Sequence, residues 1–253
     1  MTESGKSGPR FDLYPAIDLR RGRCVRLQKG DAAMETVYSD DPVAMARSFA
    51  EAGAEWVHVV DLDAAFGDGS NRALIRDLAA AVPLRVQTGG GLRSEADLAE
   101  VLDAGVARAV IGTAALENPA LVRAAVERWG ADRIAVGIDA RGRRPAARGW
   151  TEDSGEDLFD FARSMVDAGV RTLIYTDIER DGMMAGPNLV IASALASFSG
   201  AEVIVSGGIA GLDDVREVYA ERRSGMRLPG VIIGKAIYEG KLDLAEAVRA
   251  VGG

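Results

Sequence analysis

The sequence predicts an α/β protein folded as a single (β/α)8 barrel, the TIM-barrel architecture, made of two fused half-barrel repeats. Three observations carry this. Short runs rich in Val, Ile and Leu alternate eight times with longer segments of helical spacing. The runs are apolar throughout, which means burial on both faces and so a parallel sheet covered by helices. Four motifs recur in the same order in the two halves of the chain. Eight βα units in 253 residues fit a closed barrel better than an open doubly wound sheet, which shows an irregular unit count and one switch-point motif.

Taken in order, the first strand is 11–18 (FDLYPAID), followed by strands at 55–62, 84–88, 107–111, 132–138, 171–176, 201–206 and 229–233. Helices are expected at 41–52, 71–80, 94–104, 118–127, 154–168, 188–197, 211–221 and 241–250. Ser94 before Glu95-Ala96-Asp97 is a capping signal, and Asn118-Pro119 opens the next helix. Gly53, Gly105 and Gly169 close three helices in matching Ala-Gly endings. Residues 19–40 and the Arg-rich 141–149 read as long connections able to close over a ligand.

The repeat sets the halves at 11–127 and 132–250 within one domain, 11–253. Leu13-Tyr14-Pro15-Ala16-Ile17-Asp18 is echoed by Ile134-Ala135-Val136-Gly137-Ile138-Asp139. Val60-Asp61 through Asn71 is echoed by Thr176-Asp177 through Asn188, Gly90-Gly91 by Gly207-Gly208, and Gly112-Thr113 by Gly234-Lys235. Every echoed motif ends a strand, on the face where such barrels carry their sites.

Composition narrows the chemistry. One cysteine and one histidine exclude a disulfide framework, a cysteine-rich zinc or iron–sulfur site and a histidine-cluster metal site. The net charge of −8 argues against a general nucleic-acid binder. No run of about 20 apolar residues is present to span a membrane. The polar residues 1–10 read as a disordered lead-in without the apolar core of a signal peptide, and the expected setting is a cytoplasmic monomer.

With no metal cluster, acid–base work falls to carboxylates: Asp18 and Asp139, symmetry mates at the ends of strands one and five, and Asp181 after strand six. Glycines at 90, 91, 112, 207, 208 and 234 allow close backbone approach to anions. Two symmetric pairs imply a substrate with a phosphate at each end, Arg93 adding a charged donor. The bland alternative for the glycines is tight βα turns. His58, inside a strand, reads as a packed residue and Cys24 as inert, whereas Trp150 is either a loop anchor or a stacking surface for a heterocycle.

These residues carry a family resemblance over 11–250. Pro15-Ala16-Ile17-Asp18, Val25-Arg26-Leu27, Val59-Val60-Asp61-Leu62-Asp63, Gln87-Thr88-Gly89-Gly90-Gly91-Leu92-Arg93, Gly112-Thr113-Ala114, Gly149-Trp150, Tyr175 through Gly182 and Ser206-Gly207-Gly208 resemble the histidine-biosynthesis phosphoribosylformimino-5-aminoimidazole carboxamide ribotide isomerases. The related cyclase opens on Pro-Cys-Leu-Asp, and ranks below. The resemblance implies an Amadori rearrangement of a small phosphoribosyl substrate with two phosphates, without cofactor or metal. It implies that Asp18 is the base for the C2′ proton, that Asp181 is the acid opening the ribose ring, and that Asp139 and Thr176 support them. Substrate would be held by Arg26, Gly90, Gly91, Gly112, Thr113 and Arg148, and by Gly207, Gly208, Gly234 and Lys235, with Trp150 stacked on the heterocycle.

Two versions of that family remain open. Asp63 through Asn71, Gly112 through Pro119, and Arg148 resemble the actinobacterial dual-substrate form, which also isomerises phosphoribosyl anthranilate in tryptophan biosynthesis. Gly89, where the dual form has Ser, and Arg180-Asp181-Gly182-Met183 resemble the single-substrate form. A barrel that binds bisphosphates without turnover is the alternative from another class.

Overall fold

The computed structural model describes residues 10–28, 30–147, 150, 152–153 and 155–252. Residues 1–9 of the expected lead-in lie outside that range, as do Arg148 and Gly149. Arg10, the last residue of that segment, bonds Asp12 and Glu55.

Twelve strands are described: β1 (Asp12–Arg20), β2 (Arg23–Gln28), β3 (Asp31–Ser39), β4 (Trp56–Asp61), β5 (Arg85–Gly89), β6 (Arg108–Ile111), β7 (Ile134–Arg141), β8 (Arg144–Ala147), β9 (Glu152–Asp153), β10 (Thr172–Asp177), β11 (Glu202–Ser206) and β12 (Gly230–Ile233). Eight of them, β1, β4, β5, β6, β7, β10, β11 and β12, pair in parallel in that order. The ring closes where β12 meets β1, Tyr14 opposite Ile232. This is the expected (β/α)8 barrel.

The two-residue period of each strand explains the two cores. Ile17, Leu19, Val57, Val59, Val136 and Ile138 point outward against the helices. Tyr14, Ala16, Trp56, Val110, Ala135, Ile174, Ile204 and Ile232 point inward and fill the barrel. At one end Trp56 is sandwiched between the guanidinium groups of Arg85 and Arg108, 4.4 and 4.6 Å from its ring centre. That plug leaves the opposite end, where the strands finish, as the open mouth.

The helices start where chemistry says they should. Asp41 and Ser94 accept from Ala44 and Asp97 backbone N–H groups and open Pro42–Glu51 and Glu95–Asp103. Gly53, Gly105 and Gly169 take φ of 92–97°, as helix-ending glycines do. At Pro119–Trp129 the start rests on Pro119, because Asn118 makes no side-chain cap bond. The expected helices at 154–168 and 241–250 are shorter, Leu158–Asp167 and Leu244–Val251, each capped by an aspartate.

One expectation needs correction. Residues 19–40 are not a long connection. β1 turns at Arg21 and Gly22, and β2 returns antiparallel along it, Asp18 opposite Val25, before β3 pairs with β2. In the 141–149 connection, β8 likewise folds back on β7, Arg141 opposite Arg144. These ribbons mix polar and apolar residues because much of their surface meets water, so they lack the continuous apolar run that marks a barrel strand. Three short helices, Leu62–Phe66, Thr113–Glu117 and Lys235–Tyr238, also follow strands directly. They are too short for periodicity to reveal.

The repeat has a physical counterpart. The Asn71 amide donates to Asp61 at 2.8 Å, and the Asn188 amide donates to Asp177 at 2.7 Å. In the first half this knot is larger. Asn71 also donates to Asp63 at 2.9 Å and accepts from the Gly22 N–H at 3.0 Å, tying the β1–β2 turn to the barrel. Asn71→Ala therefore strips partners from two buried carboxylates and should cost about 2–3 kcal/mol in urea unfolding. Asn188→Ala should cost less, because the Asn188 amide serves one carboxylate rather than two, and Asp177 retains the Glu179 N–H. Equal losses would contradict this account.

Candidate active site

The mouth gathers the inward residues that end the strands. Asp18 lies on the inward face near the end of β1, and β2 brings Arg26 back alongside it. Arg26 donates to the Asp18 carboxylate at 2.8 Å and to the Ala16 carbonyl. Its guanidinium lies 5.0 Å from the Tyr238 ring centre, and the Tyr238 hydroxyl donates to the same Ala16 carbonyl at 2.9 Å. Gly234 has no side chain because Arg26 occupies the space: a Cβ there would lie 2.9 Å from the guanidinium carbon.

Asp139 lies near the end of β7, across the barrel. It accepts from the Trp150 indole N–H at 2.8 Å and is hydrogen-bonded by Thr176. Burial raises its pKa above the usual carboxylate range, and those two bonds pull against the rise. Asp181 lies in the turn after β10. Burial raises its pKa to about 7, helped by the charges of Asp18 and Asp139 and opposed by Arg26 and the Gly182 N–H. The three carboxylates predicted to act together do converge. Lys235 reaches the same turn, donating to the Gly182 carbonyl at 3.2 Å.

Trp150 is held in an unexpected way. Its backbone takes φ of 72°, rare for a bulky residue, and its ring covers Gly30 so closely that a Cβ there would lie 2.5 Å away. In this state it is a hydrogen-bond partner of Asp139. Arg148, expected beside it, lies outside the described residues.

The rim glycines divide by cause. A Cβ on Gly90 would sit 2.2 Å from the Asp61 carbonyl, and one on Gly208 would sit 2.2 Å from that of Gly186. Both have positive φ, so the packing of neighbouring βα turns demands glycine there whether or not an anion binds. Gly91 and Gly207 share these turns. Gly112 has open space where its side chain would be, and it precedes Thr113, the first residue of a short helix. Arg93 is exposed and donates to the Ala65 carbonyl at 2.9 Å, away from the carboxylates. Cys24 is buried and its thiol is pushed up to about 12, which leaves it inert. Among the described residues no group of three or more His, Cys, Asp or Glu could hold a metal ion, and no helix is long and apolar enough to cross a membrane.

His58 is a residue that sequence reasoning passed over as packed. It faces the barrel interior with Trp56, and its ring Nδ1 lies 3.0 Å from the Gln87 amide nitrogen.

Comparison with known proteins places these features in a family. The histidine biosynthesis protein family matches residues 12–243. A Rhodospirillum rubrum protein is 50% identical over 240 residues, 94% of this chain and 98% of its own. One from Paracoccus denitrificans is 48% identical over 240 residues, covering 94% and 99%. One from Geobacillus thermodenitrificans is 47% identical over 244 residues, covering 95% and 98%. All three are named 1-(5-phosphoribosyl)-5-((5-phosphoribosylamino)methylideneamino)imidazole-4-carboxamide isomerase.

Asp181 makes stability depend on pH. Its pKa in the folded chain lies above its ordinary 3.8, so the folded state keeps a proton that the unfolded chain releases. Its contribution is full below about pH 4 and is lost as pH rises through about 7. Asp181→Asn should therefore raise Tm at pH 8 and leave it unchanged near pH 4. An equal shift at both pH values would show that the residue does not titrate in this way.

Proposed function

This chain belongs to the histidine biosynthesis protein family, and on that premise we propose that it is the isomerase for which its curated relatives are named. The reaction is an Amadori rearrangement, aminoaldose to aminoketose, and no atoms are gained or lost. The observation that supports an acid–base route is the split between two facing carboxylates. Asp181 holds its proton near neutrality, and Asp18 is ion-paired to Arg26.

The chemistry follows from that split. Asp181 gives its proton to the ribose ring oxygen as the C1′–O bond breaks, with the amine nitrogen lone pair forming the C=N bond. Asp18 takes the C2′ proton, and the electron pair of that C–H bond moves to make an enolamine. Return of a proton to C1′ and loss of the O2′ proton give the aminoketose. Asp139 and Thr176 line the far wall. The two phosphates bind at opposite rims, one at Gly90, Gly91, Gly112 and Thr113, the other at Gly207, Gly208, Gly234 and Lys235. Arg26 lies between the base and the second of these. Trp150 leaves Asp139 to stack on the heterocycle, which is consistent with its strained backbone. The enzyme works as a cytoplasmic monomer on a small molecule, needing no cofactor, metal or nucleic acid. Its single domain, 11–253, joins half-barrels 11–127 and 132–250.

Asp18→Asn and Asp181→Asn should each lower kcat roughly 10³-fold. Near-wild-type turnover in both would overturn the acid–base assignment, and binding without any turnover in the wild type would favour a scaffold. The wild-type kcat/KM should fall as pH rises through about 7, because the acid of the free enzyme must carry its proton. Phosphoribosyl anthranilate should be a poor substrate. Gly89 stands where the dual-substrate form has Ser, and a Cβ there would meet Val110 at 3.3 Å. A kcat/KM for it within a few orders of magnitude of that for the imidazole substrate would establish the dual-substrate reading instead.

A further inference from the structure

The two halves of the barrel differ at one set of inward positions. In the first half, β4, β5 and β6 present His58, Gln87 and Arg108. Counting back from the paired landmarks Asp61/Asp177, Gly90/Gly207 and Gly112/Gly234, the second half has Ile174, Ile204 and Gly230. The isoleucines are buried interior residues that pack without polar partners. The first half thus carries a polar chain through a barrel core that the second half fills with apolar groups. A buried polar chain gains little stability over such packing, so it calls for another reason.

The chain has a direction. Arg108 stacks on Trp56 and donates to the Gln87 side-chain carbonyl at 3.2 Å. This turns the amide NH2 of the fully buried Gln87 toward His58 Nδ1, 3.0 Å away. An amide nitrogen only donates, so Nδ1 accepts and the imidazole proton sits on Nε2. The groups acting on the ring come from every side: Arg26 from β2, Arg108 through Gln87, and Asp18 one inward step up the neighbouring strand. Burial and the Arg26 charge lower the His58 pKa to about 3, so the ring is neutral. Nε2 has no hydrogen-bond partner among the described residues, and the ring keeps exposed surface. In register His58 is opposite Ala16, and Asp18 is opposite Val60. The free N–H therefore lies on the wall beside the base.

We propose that His58, held as the neutral Nε2–H tautomer by Gln87 and Arg108, is a catalytic hydrogen-bond donor to the substrate oxygen on C2′. The inference rests on the isomerase reading. When Asp18 removes the C2′ proton, that oxygen becomes the enol and then the carbonyl of the ketose. A neutral imidazole donor is suited to polarise such an oxygen without protonating it. Gln87 and Arg108 act through His58 and are positioning residues.

The lone histidine makes the test direct, because imidazole ¹⁵N NMR of the untagged enzyme reports one ring. The expected spectrum is that of the Nε2–H tautomer, unchanged from pH 5 to 9. An Nδ1–H tautomer, or titration within that range, overturns the proposal. In kinetics, His58→Leu should lower kcat roughly 10²-fold with a much smaller change in KM and a folded thermal transition. His58→Gln, which keeps an N–H near the Nε2 position, should recover at least a tenth of the wild-type rate. Wild-type kcat in His58→Leu overturns the role. Should that variant fail to fold, Gln87→Leu keeps the ring and frees its tautomer. It should lower kcat and bring the second tautomer into the spectrum, and an unchanged kcat with an unchanged spectrum overturns the proposal. A wild-type enzyme that does not turn over the imidazole substrate refutes the isomerase reading and the catalytic role, whereas the tautomer is still decided by NMR.

Discussion

Three carboxylates, Asp18, Asp139 and Asp181, share the mouth of a closed barrel with one guanidinium bonded to one of them. They cannot all be ionised at low cost in that space. Arg26 is committed to Asp18, the indole and Thr176 hydroxyl serve Asp139, and Asp181 takes up the remaining strain by holding a proton. Which carboxylate holds a proton follows from where one arginine sits. The arginine sits there because β2 folds back along β1, and Gly234 and the Tyr238 ring leave it a slot.

This crowding has a structural cost, and the rest of the barrel compensates for it. The far end is sealed by Trp56 between two arginines, and the outer layer is a continuous apolar core. Asp61 and Asp177, also buried, are engaged with Asn71 and Asn188 and with backbone donors, and so hold the βα turns.

Near two-fold symmetry gives the site its length, and departures from symmetry give it polarity. Matched turns at Gly90-Gly91 and Gly207-Gly208 set two similar rims. Between them the halves differ. Arg26 and the Arg108–Gln87–His58 chain belong to the first half, and the elevated Asp181 belongs to the second. A substrate with two like ends and a reactive centre closer to one of them fits such an arrangement.

The amino-acid sequence by itself determined the eight βα units and their order, because apolar strands and helix-ending glycines are local signals with fixed periods. It also marked Asp18, Asp139 and the paired rim glycines, because each recurs at a strand end, and Asp181 in the turn that follows strand six. It did not reveal the ribbons at 23–39 and 144–147, whose half-exposed faces break the apolar run. It left open which way His58 faces, since one histidine in an apolar strand carries no local sign of this. Tertiary structure decided those matters, along with the proton on Asp181 and the attachment of Trp150 to Asp139. Each depends on burial and on partners brought together from distant parts of the chain, and electrostatic energy in a closed barrel is set by distance in space rather than by position in sequence.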